Sequence, residues 1–261
     1  MTEVEQPYAL GTPCWLDLMA ENQQAAMDFY AGLFGWAGER GPEEVGGYAI
    51  MTLRDRPVAG IGHATPSEGE PAPPHAWTTH LATDDADATA KRIVEAGGTL
   101  LVEPLDVGPT GRMGVATDST GAVFGFWQHG DFYGAELIRE PGTLAWSECN
   151  TRDLAGASAF YQDVFDVAVE PWEGTDTYAA VKVADKTVAG LQDVTALYPE
   201  SVPPHWMAWF AVADVDATAK KAKKLGGTIA LKPQDAAPGR IATIADPWGG
   251  MFCLLKPNDK A

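Results

Sequence analysis

The sequence predicts an α+β fold built by tandem duplication, with four β-α-β-β-β blocks arranged two to a half. Three observations predict it. Trp15, Asp17 and Phe29-Tyr30 return as Trp146, Glu148 and Phe160-Tyr161 at a constant offset of 131 residues. Gly97-Gly98 returns as Gly226-Gly227, and Asp87-Ala88-Thr89-Ala90-Lys91 recurs letter for letter at 216–220. Short apolar runs alternate with segments of three/four apolar spacing, the periods of strand and helix. Any functional site must therefore be read twice.

The elements follow in order. Residues 1–10 read as a flexible lead-in. Cys14–Leu18 is a strand, and Asn22 caps a helix whose Ala25, Ala26, Phe29, Tyr30, Leu33 and Phe34 share a face before Gly35 stops it. Tyr48–Leu53 and Val58–Ile61 are strands, with one more expected near Trp36. The Pro/Gly-rich 64–74 reads as an extended linker. Trp77–Ala82 is a strand, Asp85–Ala96 a helix closed by Gly97-Gly98, and Leu100–Val102, Met113–Thr117 and Ala122–Gln128 are strands. Asp118–Gly121 turns the last pair into a hairpin. After a 129–141 linker the second half repeats the order, with helices at Asp153–Phe165 and Asp214–Leu225. The predicted units are a lead-in at 1–10, a first domain at 11–128 (blocks near 11–63 and 75–128), the linker, and a second domain at 142–257 (blocks near 142–194 and 205–257).

Bulk properties bound the function. The chain has 261 residues and a formal charge of −18, with 36 acidic against 18 basic side chains. Phosphate backbones are bound by Lys and Arg, so a nucleic-acid partner is not expected. No apolar run is long enough to span a bilayer, and the acidic start lacks a signal-peptide pattern, so the expectation is a cytoplasmic protein without a membrane partner. Cys14, Cys149 and Cys253 show no CxxC pairing and read as buried reduced thiols.

Four such blocks, with Phe-Tyr closing the first helix of each half and Gly-Gly closing the second, resemble the vicinal oxygen chelate superfamily of glyoxalases, extradiol dioxygenases and bleomycin-resistance proteins. More closely they resemble its two-domain, glyoxalase-like actinobacterial members. The resemblance covers about Gly11 to Lys256 and implies two curved-sheet cups, one per glyoxalase-like domain. It also implies a divalent metal held by His, Gln or Glu at four strand positions. Those positions fall here on Trp15, Gly60, Thr78 and Gly125, and in the second half on Trp146, Gly190 or Leu191, Met207 and Cys253. Indole and glycine offer no lone pair to a hard cation. No metal site and no cofactor is therefore expected.

Positions two apart on a strand share a face. The inward faces then carry Trp15, Thr78, Trp127, Trp146, Met207 and Trp209 as candidate ligand-binding residues, with Asp17, His80 and Glu148 as candidate acid/base groups. Aromatic walls with sparse polar anchors suit a hydrophobic or aromatic small molecule; the same tryptophans could instead simply fill the cups. His80 would face Asp17 if blocks pair within a half, or Glu148 if they are exchanged between halves. The leading expectation is a metal-independent small-molecule-binding protein. The alternative is an enzyme: a metal-free isomerase, lyase or cyclase using Asp17, His80 or Glu148, or a glyoxalase or dioxygenase with atypical ligands. A monomer carries both halves and suffices, with a homodimer still open. His75, His205, Arg112 and Arg240 read as structural pairs.

Overall fold

Both predicted halves form sheets in the computed structural model of the chain, which describes residues 3–43, 46–66 and 72–258. The first half gives β1 (Pro13–Ala20), α1 (Gln23–Phe34), β2 (Ala49–Leu53), β3 (Arg56–His63), β4 (Trp77–Thr83), α2 (Ala86–Glu95), β5 (Thr99–Asp106), β6 (Gly111–Thr117) and β7 (Val123–His129). The second gives β8 (Leu144–Thr151), α3 (Leu154–Phe165), β9 (Ala168–Pro171), β10 (Tyr178–Val183), β11 (Lys186–Asp193), β12 (His205–Ala211), α4 (Val215–Lys224), β13 (Thr228–Ala236), β14 (Gly239–Ala245) and β15 (Met251–Pro257). The first seven strands form one sheet in the order β2-β3-β1-β4-β7-β6-β5. The other eight form a second sheet in the order β13-β14-β15-β12-β8-β11-β10-β9.

Each sheet is drawn from one half. β1 pairs antiparallel with β4, setting Trp15 opposite His80 and Asp17 opposite Thr78. β8 pairs likewise with β12, setting Trp146 opposite Trp209 and Glu148 opposite Met207. Blocks are thus not exchanged between sheets. The cores, however, are shared between halves. One joins Leu16, Phe29 and Tyr30 to Phe210, Val215 and Phe252; the other joins Phe124 and Ile93 to Phe160, Tyr161 and Phe165.

The repeated motifs explain this crossing. Gly97 and Gly226 lie at φ +87° and +100°, the left-handed conformation that ends a helix at little cost only for glycine. The second glycine of each pair admits a phenylalanine from the opposite half. A Cβ on Gly98 would stand 2.9 Å from the Phe160 ring, and one on Gly227 would stand 3.4 Å from Phe29. The neighbouring tyrosines cross as well. Tyr30 donates to Asp246 at 2.9 Å while accepting from the Trp77 indole at 3.0 Å; Tyr161 donates to Asp118 at 2.9 Å while accepting from Trp206 at 2.8 Å. Asp118 and Asp246 also cap their own hairpin turns through backbone N–H groups. One carboxylate thereby fixes a turn and a half-to-half junction together.

Helix starts follow their caps. Asn22, Asp85, Asp153 and Asp214 each accept a backbone N–H from the first turn. Two expectations are corrected. The lead-in is not loose over 3–10: Val4 donates to Glu136 O, Tyr8 hydroxyl donates to Ala135 O at 2.6 Å, and Glu3 bridges Leu137. The strand expected near Trp36 shrinks to one bridge between Ala37 and Thr52, whereas its second-half counterpart is the full edge strand β9. Part of the 64–74 linker, residues 67–71, lies outside the described residues. Among the described residues no helix is long and apolar enough to cross a membrane.

Candidate functional site

Alternation on β1 sends Leu16 and Leu18 into the helix-covered core and leaves Trp15, Asp17 and Met19 on the opposite, concave face. Cross-strand register carries that face through Gly60, Thr78, His80, Gly125 and Trp127. Asp17 and His80 meet, with His80 Nε2 3.1 Å from Asp17 Oδ2 and both side chains largely buried. This is ion-pair distance without hydrogen-bond alignment, since neither ring nitrogen finds an aligned partner among the described residues.

The two glycines on this face are occupied from the side. A Cβ on Gly60 would fall inside the Tyr48 hydroxyl, and one on Gly125 inside the His80 imidazole. The Trp15 indole donates to the Tyr48 hydroxyl at 2.8 Å, and that hydroxyl reaches toward Asp17 Oδ2 at 3.5 Å. Burial and the neighbouring Asp17 carboxylate raise the Tyr48 pKa well above its ordinary value, so the phenol stays protonated. Space that a metal-binding side chain would need at Gly60 and Gly125 is filled by a phenol and an imidazole.

Beyond His80 the first cup is closed. Phe132, from the segment between the halves, packs edge-on against Trp15 (ring centroids 4.9 Å) and Trp127 (6.0 Å). Its carbonyl accepts from the Trp127 indole at 2.9 Å. Trp15, Trp127 and Ala135 form a small core with Tyr8 against it. Here the tryptophans fill the cup.

The second cup repeats the frame with different contents. The Trp146 indole donates to the Tyr178 hydroxyl at 3.0 Å, and a Cβ on Gly190 would fall inside that hydroxyl. Tyr178 lies against Glu148, whose register partners are Gly190 and Met207. Trp209 stands at the place matching His80, between Trp146 and Cys253. Its indole Nε1 is buried without a partner among the described residues. Met207 is buried, whereas Trp146, Glu148 and Trp209 stay partly open. Tyr198 is close enough for the Glu148 charge to raise its pKa, burial being the larger cause. Trp172, half exposed, packs edge-on to Tyr178 at 5.9 Å.

Glu148 is the chemically unusual group. Burial raises its carboxyl from 4.5 to about 7, with the Tyr178 hydrogen bond opposing the shift in part. Cys253, which accepts or donates a 3.5 Å contact with Thr243, is pushed up to about 12 by burial and is no thiolate at neutral pH. All three cysteines are free and buried.

The remaining polar candidates are structural. His75 Nε2 lies 2.7 Å from Asp246, while Arg112 pairs with Asp87 and Asp106 and Arg240 with Asp216 and Asp235. No group of three or more His, Cys, Asp or Glu able to hold a metal occurs among the described residues. An open cleft of about 660 Å³ bordered by Gln23, His63 and Trp248 lies away from both carboxylates. Sequence reasoning missed Tyr48, Tyr178 and Phe132. The tyrosines had a signal, since Tyr48-Ala49 recurs as Tyr178-Ala179; Phe132 has no second copy and carried none.

The fold agrees with the chain's relatives. The profile of the Glyoxalase/Bleomycin resistance protein/Dioxygenase superfamily matches residues 14–126, and that of a glyoxalase-like domain matches residues 146–255. A Mycobacterium tuberculosis protein named "Putative glyoxylase CFP32" is 40% identical over 255 residues, covering 96% of each chain. The chain belongs to this superfamily. It is also 35% identical over 261 residues to the "Anthracycline biosynthesis protein DnrV" of Streptomyces peucetius, covering 95% of this chain and 94% of that one. Among solved structures, the Mn(II)-bound glyoxalase of Novosphingobium aromaticivorans superposes with TM-score 0.64 at 16% identity, covering 94% of this chain and 82% of that one. The 2,3-dioxygenase LapB of Pseudomonas sp. KL28 superposes with TM-score 0.61 at 13% identity, covering 100% and 96%. At such identities the two structures share the fold alone. The Mn(II) of that glyoxalase raises the question of fit. Trp15, Gly60, Thr78 and Gly125, or Trp146, Gly190, Met207 and Cys253, do not suit a hard divalent cation.

Proposed function

We propose that the protein binds a hydrophobic or aromatic small molecule in a tryptophan-lined cup, without a metal ion at the positions its superfamily implies. One observation carries this reading. Those positions carry Trp, Gly, Thr, Met and Cys, which make no ligand set for a hard cation, and the room beside Gly60, Gly125 and Gly190 is taken by Tyr48, His80 and Tyr178. Aromatic walls remain, with a few polar groups to orient a ligand, which is the composition of a small-molecule pocket. The relatives named for anthracycline biosynthesis support a flat aromatic ligand. Each sheet comes from one half, so a cup needs no second chain.

A second reading is catalytic and metal-free. The Asp17–His80 pair at 3.1 Å sets a carboxylate beside an imidazole, and the Glu148 carboxyl is raised to about 7; both are residue types that serve as general acids and bases. An isomerase, lyase or cyclase would need no more than one such base beside the bound substrate. The observation favouring binding over catalysis is the closure of the Asp17–His80 pair behind Trp15, Trp127 and Phe132.

Intrinsic fluorescence tests the first reading, because Trp146 and Trp209 flank the open cup. A panel of polycyclic aromatic metabolites, titrated with and without a chelator, is expected to include at least one that quenches saturably and raises Tm equally in both conditions. No quenching and no thermal shift by any member would refute it.

A further inference from the structure

The two cups differ by one exchange with a chemical consequence. In the first, the carboxylate of Asp17 has an internal partner, His80, at 3.1 Å. In the second, the place of that histidine is held by Trp209, which carries no charge and accepts no proton. Among the described residues Glu148 is left with one hydrogen-bond partner, the Tyr178 hydroxyl, and with no cation to offset its desolvation. Around it stand the rings of Trp146, Tyr178, Trp209 and Tyr198. Resting on the aromatic-binding reading above, we propose that the second cup recognises an organic cation: a protonated amine attached to a flat apolar body, with the ammonium seated on Glu148.

The chemistry fits on three counts. A carboxylate largely withdrawn from water without a counter-charge is costly, and a ligand ammonium supplies that charge. Aromatic faces attract cations through their quadrupoles, most strongly for Trp and when water is excluded. The apolar body would lie against Met207 and the tryptophans, and the Trp209 N–H, buried without a partner among the described residues, is left to donate to an oxygen of the ligand. The other titratable groups facing the cup do not compete. Cys253 is held as a thiol and the two tyrosines as phenols, while His205 is engaged with Pro203 O at 2.9 Å and Asn150 at 3.5 Å. The upward shift of the Glu148 carboxyl is what a missing partner produces.

The test uses the full-length protein and two probes of like shape, 2-naphthylmethylammonium and neutral 2-naphthylmethanol, titrated by calorimetry at pH 8. The ammonium is expected to bind about tenfold tighter or more. Glu148→Gln should abolish that preference and leave the alcohol's affinity within about twofold. Asp163→Asn, on the exposed face of α3, controls for attraction to the net charge of −18 and should leave the preference intact. Equal affinities, or a preference for the alcohol, would overturn the cation assignment while leaving aromatic binding standing. Loss of the preference in both variants would assign it to bulk charge and overturn it too. Binding of neither probe would overturn it together with the reading beneath it. A circular-dichroism melt of Glu148→Gln establishes folding; should that variant unfold, Trp209→Lys, which places an internal ammonium beside the carboxylate, is expected to weaken the ammonium probe selectively.

Discussion

Gly60→Ala isolates the claim that a phenol occupies the family's second ligand position. Gly60 carries no left-handed φ, so an added methyl meets no backbone strain and its effect is steric. The new Cβ would fall inside the Tyr48 hydroxyl, and the ring atom Cε1 would be 2.9 Å away. Real Cβ atoms essentially never approach within 3.0 Å, so Tyr48 must move. Moving it breaks the 2.8 Å bond from the Trp15 indole and the approach to Asp17. Overpacking costs about 1–3 kcal/mol, and a buried indole left without its acceptor costs about 1–3 kcal/mol more. The expected loss is therefore about 2–6 kcal/mol, measured by urea denaturation. Tyr48→Ala clears the space, so the double variant should be less destabilised than the two singles added together, by about 1–3 kcal/mol. A Gly60→Ala loss under about 0.5 kcal/mol, the range of unremarkable surface changes, or strict additivity with Tyr48→Ala, would refute the packing argument. Gly190→Ala against Tyr178 offers the same experiment in the other half, with the same expected sign.

Three further outcomes are expected. Glu148 has a folded pKa above its unfolded value, so the native state binds its proton more tightly. That costs nothing below about pH 4.5, grows as pH rises and is complete above about pH 7. Glu148→Gln should accordingly leave stability at pH 4.5 nearly unchanged and raise it at pH 8 by up to about 3 kcal/mol, read from urea midpoints across that window. Asp118→Ala and Asp246→Ala each strip a turn cap and strand a buried tyrosine hydroxyl. Each should cost about 3 kcal/mol or more by the same assay, whereas exposed Asp163→Ala should fall within about 0.5 kcal/mol. Phe132→Ala should uncover Trp15 and Trp127, red-shifting emission and costing about 2–4 kcal/mol, without changing ligand affinity in the second cup.

The architecture was legible because duplication doubled each signal. The Asn22, Asp85, Asp153 and Asp214 caps, the Gly-Gly stops and the hairpin turns are local chemistry, and local chemistry is written in neighbouring residues. The faces of β1, β4, β8 and β12 followed from strand period once the family resemblance had set Trp15 inward. What the sequence withheld was long-range. Whether His80 faces Asp17 or Glu148 depends on which blocks share a sheet, and strand alternation is silent on that. The occupation of Gly60 by Tyr48 is a contact across adjacent strands whose geometry no spacing rule supplies. Phe132 lies in a segment without repeat or period, yet it closes one cup and leaves the two halves unequal. The lead-in, acidic and polar at its start, is held by backbone bonds to 136–137 and by the Tyr8 and Tyr133 hydroxyls, long-range contacts that composition does not encode.

Elemental analysis of the purified protein, followed by aromatic-ligand titration before and after exhaustive chelation, tests the account at its centre. Divalent metal well below one ion per chain, with ligand affinity unchanged by the chelator, is the expected result. One tightly held Mn, Fe, Ni or Zn per cup, or binding that vanishes with chelation and returns with metal, would contradict it.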